Sequence, residues 1–491
     1  MKGVAAALLA SLLGGCTLIP DYFRPALPVA ETYPVAGWGV GNPRIPSADQ
    51  IAWRDFFRDR ALVVLIDVAL RNNRDLRTAA LNVEAAQAQF RVQRADLFPH
   101  IDLSGSGAFG TLPASTSIPT GPTGFAGSGA TAAAGTTTSS LIQTGPQHVS
   151  YRYFTTGLGF TSYELDLFGR LRSLSRQAFE TALGYDETRL STQITLVSEV
   201  ANAYLTVLAD RELLKLTQET FDSTSKTLDL TRRSLAGGAN TLLAVRQAET
   251  VVETARANLS QYRRQQAQDE DALVLLLGQP IPANLPAGRG LNGQGLVADI
   301  PAGLPSDLLE RRPDIRAAEH NLLAANANIG AARAAFFPSI TLTASDGVAS
   351  SRLSHLFTGA ATTWSFAPQI NIPIFTAGQN QANLELAKAQ TRLQVAQYER
   401  TIQTAFREVA DGLAGRSTYQ DQVRAQTALV AANADNLRLA QMRFSAGVDT
   451  FLPVLDAQRS LYSAQQGLLV LRQQQISNLV NLYKALGGGW R

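Results

Sequence analysis

The chain is written twice. Asp75-Leu-Arg-Thr-Ala-Ala-Leu-Asn82 returns as Asp314-Ile-Arg-Ala-Ala-Glu-His-Asn321, 239 residues on, and the same offset pairs Arg94 with Arg333, Phe98-Pro99 with Phe337-Pro338 and Ile101 with Ile340. Farther along the offset becomes 209, pairing Gly169 with Gly378, Glu199-Val200-Ala201 with Glu408-Val409-Ala410, Gly238 with Gly447, and Leu277-Gly278 with Leu486-Gly487. Any fold for this chain must therefore be made of two like units. The offsets differ by 30 residues, which copy one carries as an insertion. Residues 103–151 hold no Asp, Glu, Lys or Arg and are rich in Gly, Ser, Thr, Ala and Pro, which reads as a long loop. Two readings of that loop stay open, an extracellular loop and an insertion without a role.

Each copy carries long helical patterns. Leu190, Ile194, Val197, Ala201, Tyr204 and Leu208 alternate steps of four and three, a heptad seam within a stretch from Gly169 to Ala236 that contains no proline. After a break at Gly237-Gly238 the seam resumes through Val245, Ala248, Val252, Ala255, Leu259 and Tyr262. Copy two repeats it through Val454, Ala457, Leu461, Ala464, Leu468 and Leu471. A helix of about 65 residues at about 1.5 Å each reaches about 100 Å, so each copy offers a rod out and a shorter rod back. The turns fall at Gly237-Gly238-Ala239-Asn240 and Ala446-Gly447-Val448-Asp449. A fibrous coiled coil is the plain alternative.

Strand patterns count against it. Trp364, Phe366, Ile370, Ile372 and Ile374 alternate with small or polar residues. In copy one Phe154, Leu158 and Phe160 share one parity while Tyr163, Leu165 and Leu167 take the other, which a bulge near Ser162 reconciles. With 98–109 and 337–349 each chain has four strand candidates. Tilted strands of about 9–11 residues cross a bilayer, but four cannot close, and an open edge in lipid leaves backbone groups unpaired. Closure requires several chains, and twelve strands from three chains is the smallest arrangement that leaves a passage.

The N-terminus is an address. Lys2 followed by the apolar run Val4 to Leu13 has the form of a secretory signal, and Leu13-Gly14-Gly15-Cys16 resembles a bacterial lipobox, which makes Cys16 a lipidation site. A buried structural cysteine is the other reading. Two or three acyl chains, at about 0.8 kcal/mol per methylene, anchor firmly. Thr17 after the cysteine resembles lipoproteins sent to the outer membrane, and the prolines from Pro20 to Pro46 give an extended tether.

Composition excludes other classes. Charged residues make 17% and sum to +3, interspersed rather than blocked, so no nucleic-acid partner is implied. One cysteine and four scattered histidines leave no metal centre, and no cofactor is expected. No phosphate loop with lysine, no Gly-x-Ser-x-Gly elbow and no histidine beside a nucleophile is present, so catalysis is not expected. The run Asp269-Glu270-Asp271 reads as a solvated helix face rather than an acid–base pair.

Several segments together resemble the TolC-like outer-membrane factors, and among them the NodT-type lipoproteins of resistance-nodulation-division efflux systems. They are the lipobox at Cys16, Tyr163-Glu-Leu-Asp-Leu-Phe-Gly-Arg170, Leu308-Leu-Glu-Arg-Arg-Pro-Asp-Ile315, Pro373-Ile-Phe-Thr-Ala-Gly378 and the stretch Ala446 to Arg459. The resemblance covers nearly the whole chain. It implies a mostly α protein with membrane β: a homotrimer with a twelve-stranded outer-membrane barrel, four strands per chain, and a coiled-coil helical barrel in the periplasm. A periplasmic adaptor and an inner-membrane pump are the implied partners, with drugs and other toxic small molecules as cargo. A type I protein-secretion channel and a structural envelope lipoprotein are the alternatives.

The chain then divides into a signal peptide 1–15, a lipidated tether 16–59, a first repeat 60–278, a linker 279–300, a second repeat 301–487 and a tail 488–491. Within the repeats the strands are expected near 98–109, 152–168, 337–349 and 362–375, and the long helices over 169–278 and 378–486. By resemblance Leu452, Asp456 and Arg459 form the periplasmic gate; a solvated intrahelical pair is the other reading of the two charges, and Pro453 suits the start of the returning helix. The hairpin tips, Gly237, Gly238, Thr241, Leu242, Gly447, Val448, Thr450 and Phe451, are the expected adaptor contacts, although turn geometry explains the glycines equally well. Pro313 and Asp314 read as the first turn of a helix, a structural element.

Overall fold

A computed structural model describes residues 17–34, 47–113, 148–296 and 305–490. The signal segment, Cys16 and residues 114–147 lie outside them. The helices are α1 (Trp53–Phe56), α2 (Arg60–Asn72), α3 (Arg74–Ala95), α4 (Arg170–Ala236), α5 (Leu242–Leu277), α6 (Leu308–Arg311), α7 (Pro313–Ala334), α8 (Gln379–Ser445) and α9 (Leu452–Ala485). The strands are β1 (Asp102–Pro113), β2 (His148–Leu165), β3 (Ser339–Ser350) and β4 (Thr362–Asn371). The chain forms two units, 1–24 with 85–182 and 320–394, and 25–84 with 183–319 and 395–491.

The first unit holds an antiparallel sheet in the order β1-β2-β3-β4. Its strands start later or stop earlier than the apolar pattern alone suggests. Phe98 and Phe337 still close helical turns, donating to Ala95 and Ala334, and a proline follows each, so β1 and β3 begin only at 102 and 339. Pro373 ends β4 short of 375 for the same reason. Both ends of the charge-free stretch are strand, so the expected loop over 103–151 is corrected at 103–113 and 148–151, and its remainder lies outside the described residues. Its Ser-Gly-Ser-Gly run reads as loop because only one face of β1 carries large side chains.

The register explains that face. Opposed residues of an antiparallel pair point to one side, so Leu103, Leu158, Asp346 and Trp364 form a row, as do Phe160, Ala344 and Phe366. Between Phe160 and Tyr163 the β2–β3 register shifts, with Ser162 at φ 56°, so Tyr163 and Leu165 oppose Leu342 and Ile340 and remain on the same side. The bulge near Ser162 therefore keeps Phe154, Leu158, Phe160, Tyr163 and Leu165 on one face of β2. The opposite face carries Ser104, Ser106, Thr155, Thr341, Thr343, Ser345 and Ser365. Arg152, opposite Phe109, and Asp346 are the charged exceptions on the apolar face.

At the base of the sheet Asp166 leaves the ladder to cap α4, accepting from Leu171 N at 3.1 Å and Arg172 N at 2.9 Å, and Glu164 takes a forked pair from Arg170 at 2.8 and 2.6 Å. That use of Asp166 ends β2 before 168. Residues 18–20 lie extended against α7: Leu18 O accepts from Arg333 Nη1 at 3.1 Å, and Pro20 O from Asn326 Nδ2 at 2.8 Å. This part of the tether is held rather than free.

The second unit shows the duplication as a repeated joint. Gly278, at φ 67°, caps α5 against the Asn72 carbonyl, while Gly487, at φ 84°, meets the Arg311 carbonyl. A Cβ on Gly487 would lie 2.6 Å from that oxygen, and one on Gly278 would also overlap its neighbour. Neither position tolerates another residue. The heptad seam is buried as expected at Ile194, Val197, Ala201 and Tyr204, at Val245, Ala248, Val252, Ala255 and Leu259, and at Val454, Ala457, Ala464 and Leu468. Pro313 opens α7, and the buried Arg312 beside it donates to Asp314, Glu408 and the Ala485 carbonyl. No helix among the described residues is long and apolar enough to cross a membrane.

Candidate functional site

Two helix hairpins end in the second unit, and both turns are built by glycine. Gly238 at φ 73° and Gly447 at φ 71° take the left-handed conformation, with open space where a Cβ would stand. The left-handed turn, rather than crowding, selects glycine here. Ala239 N donates to Ser234 O at 2.9 Å and Val448 N to Arg443 O at 3.0 Å, so the two turns close identically. Thr241 then caps α5, its hydroxyl accepting from Ala244 N at 3.2 Å. Pro453 lies in the first turn of α9, with Phe451 as the cap, so the proline begins the returning helix instead of breaking it.

Of the expected tip residues, Gly237, Gly238, Thr241, Leu242, Gly447, Val448 and Thr450 are exposed. Phe451 is not: it is 4% exposed, packs at a tilt against Phe444 with ring centroids 5.1 Å apart, and joins Ala440, Val454, Leu455, Ala244, Val245 and Ala248 in one apolar cluster. It fastens the two hairpins together rather than presenting a surface. Its place after a glycine turn resembled that of its neighbours, and only the packing separates them. Leu243, absent from the sequence-based set, is exposed beside Leu242.

Ion pairs tie down each turn. Arg443 reaches over the second turn to Asp449, Nε to Oδ2 at 2.5 Å and Nη2 to Oδ1 at 3.2 Å. The Arg443 guanidinium holds the Asp449 carboxyl below the usual carboxylate range. At the first turn Arg232 and Arg246 both bind Glu249, at 2.8 and 2.7 Å, and hold it low in the same way. Sequence reading missed these residues, although an arginine and an aspartate six apart across a glycine turn is a readable signal.

Leu452, Asp456 and Arg459 share the exposed face of α9, opposite the buried Val454, Leu455, Ala457 and Gln458. Within one chain Arg459 Nη1 stands 3.9 Å from Asp456 Oδ1, and the two side chains are 58% and 61% exposed. Such a pair is loose and solvated, worth a few tenths of a kcal/mol at most. Both charged groups remain available to whatever faces them. Of the run 269–271, Asp271 is exposed as expected, whereas Asp269 and Glu270 are half-buried and Glu270 accepts from Arg211 at 2.9 Å. Among the described residues no group of three or more His, Cys, Asp or Glu is placed to hold a metal.

The family model for outer membrane efflux proteins matches residues 65–279 and 304–488 of this chain. The antibiotic efflux pump outer membrane protein ArpC of Pseudomonas putida is 51% identical over 488 residues, covering 99% of this chain and 95% of that protein. The toluene efflux pump outer membrane protein TtgC, also of Pseudomonas putida, has the same identity and coverage. Among solved structures, the open state of the Neisseria gonorrhoeae MtrE outer membrane channel is 38% identical, with a TM-score of 0.83 over 97% of this chain and 99% of that one.

Proposed function

The chain belongs to the outer membrane efflux protein family and is the outer-membrane channel component of an efflux system, and on that premise we propose that it works as a trimer passing small apolar or amphipathic toxic compounds. The observation that carries this reading is the sheet. It has one mainly apolar face, one mainly small and polar face, and two edges, β1 and β4, with no strand partner among the described residues. Edges in lipid must be paired, and three copies closing β4 on β1 give twelve strands around a water-filled passage with the apolar face outward. Cys16, with its acyl chains, is the second hold on the membrane.

In this reading the helices form the periplasmic duct, and the exposed tip residues, Leu242 and Val448 above all, receive a periplasmic adaptor linked to a resistance-nodulation-division pump. Leu452, Asp456 and Arg459 from three copies make a leucine ring and an adjacent charged ring that narrow the passage until the adaptor splays the helices. Two relatives of equal identity are named for antibiotics and for toluene. That breadth supports a wide duct, with selection in the pump.

The test is retention of a fluorescent efflux dye in cells lacking the gene, with and without the wild-type copy, while the pump is expressed. Restoring the gene is expected to lower retention. Unchanged retention across dyes and toluene would overturn the small-molecule reading and favour a protein-secretion channel.

A further inference from the structure

Helix α9 lies along the first hairpin. Asn202 Nδ2 of α4 donates to Asn481 Oδ1 of α9 at 2.9 Å, Gln473 Nε2 of α9 donates to Thr206 Oγ1 at 3.1 Å, and Gln466 Nε2 donates to the Tyr262 hydroxyl of α5 at 2.8 Å. Partner numbers rise on α4 as they fall on α9, so the two helices run antiparallel, and α9 seats in the groove that α4 and α5 form. The groups that meet are neutral. On α4 they are Ser198, which donates to Asn481 at 3.4 Å, and Asn202; on α9 they are Gln473 and, two turns on along the same face, the buried Val480.

The second hairpin has the same groove, with no occupant among the described residues. A cavity of about 600 Å³ opens between α8 and α9, with Asp411, Tyr419, Gln474 and Asn478 in its walls. At the offset of 209 the neutral contacts of the first groove become ionic. Ser198 and Asn202 are replaced by Arg407 and Asp411 on α8, and Gln473 and Val480 by Arg264 and Asp271 on α5. All four are exposed, and among the described residues none has an ion-pair partner. Each of these two helices thus presents one base and one acid on the face that its counterpart in the other copy uses for packing.

We propose that α5 of a neighbouring copy of this chain fills the α8–α9 groove, with Asp271 of that copy against Arg407 and its Arg264 against Asp411. The duplication supplies the geometry. Within a chain, copy two sits on copy one through α9; in a closed ring, copy one of the next chain sits on copy two through the equivalent helix, α5. The antiparallel packing carries over and sets the order of the charges. Base then acid along α8 meets acid then base along α5 read from its C-terminal end.

The joint within a chain is therefore closed by carboxamides and hydroxyls, and the joint between chains by charge. A lone chain keeps its docking faces hydrated, and the charges find partners only on assembly. This joint rests on the trimeric reading of the channel and supplies residues that hold the trimer together.

The experiment uses the full-length protein in detergent. Asp271→Cys and Arg407→Cys are combined in one chain and treated with a short bismaleimide, and each single variant controls for Cys16. A ladder of dimer and trimer on a denaturing gel is expected from the pair and from neither single variant. Monomer alone, from protein that runs as an oligomer before heating, would overturn the docking of α5 and leave the trimer standing; protein that never runs as an oligomer would overturn both. Charge reversal gives a second measure. Arg407→Asp should lower the temperature at which the oligomer dissociates, and adding Asp271→Arg should restore it. A swap no more stable than the single change would overturn the pairing.

Discussion

The Arg312 guanidinium donates to the main-chain carbonyl of Ala485 at 3.0 Å, and the first copy makes the same joint with the Asn73 amide and the Leu276 carbonyl at 2.9 Å. The pair stands at the offset of 239 on one side and 209 on the other, so the joint is inherited from the duplication while its chemistry has diverged. Arg312 adds ion pairs to Asp314 at 2.6 Å and Glu408 at 2.8 Å, and these carboxylates overcome burial to raise its pKa. Replacing it with Ala leaves a buried carbonyl and two half-exposed carboxylates without their donor, an expected loss of about 3 kcal/mol. Asn73→Ala loses one hydrogen bond and a helix cap, about 1–2 kcal/mol. Thermal unfolding in detergent should rank them in that order, and equal losses would contradict the divergence.

Glycines with similar positive φ should respond differently. Gly487→Ala drives a Cβ to 2.6 Å from the Arg311 carbonyl, so the helix end must move in addition to the left-handed penalty of about 1 kcal/mol. Gly447→Ala pays only that penalty, since nothing stands where its Cβ would be. Comparing the two midpoints tests the joint: the first variant should lose at least twice the stability of the second.

Deleting Ser162 should leave the faces of β2 in place. The bulge is one extra residue between Phe160 and Tyr163, and without it the two stand two apart, as do their partners Ala344 and Leu342, so Tyr163 and Leu165 stay on the face of Phe160. Ser162→Gly keeps the bulge and relieves φ 56°. The heat-stable oligomer on a gel should persist in both variants, and its loss in the deletion alone would contradict this account of the bulge.

At the tips, Val448→Asp and Phe451→Ala should separate binding from stability. Val448 is exposed and Phe451 is buried in the cluster that joins the hairpins. The first change is expected to abolish co-purification with an adaptor while leaving the thermal midpoint in place. The second removes a packed ring, about 3 kcal/mol, and should lower the midpoint. An unshifted midpoint in Phe451→Ala would contradict the cluster.

Replacing Asp456 and Arg459 together with Ala should raise single-channel conductance in a planar bilayer, because both charges lie on the exposed face of α9. Unchanged conductance would remove them from the constriction.

Much of this was readable in one dimension, because it is periodic or local. The heptad steps gave the buried stripe of the long helices, and the parity change on β2 located its bulge to the residue. Helix and strand periods are fixed by backbone geometry, so residue spacing reports them directly. Element ends were less legible. Phe98 looked like the start of a strand, but it closes the last turn of a helix, a matter of which carbonyl its amide reaches.

What remained hidden depended on which residues of distant segments come face to face. The duplication, the hairpin glycines and the two-faced strands follow from the order of the residues alone. Glu270 sat in an acidic run that looked solvated, and Phe451 in a turn that looked like a surface. Both readings changed only when another helix was laid alongside: α4 brought Arg211 to the one, and the apolar cluster closed over the other. Burial and hydrogen bonding between side chains are set by the register of packed helices, which small differences in turn length and cap decide, and no spacing within a single helix records them.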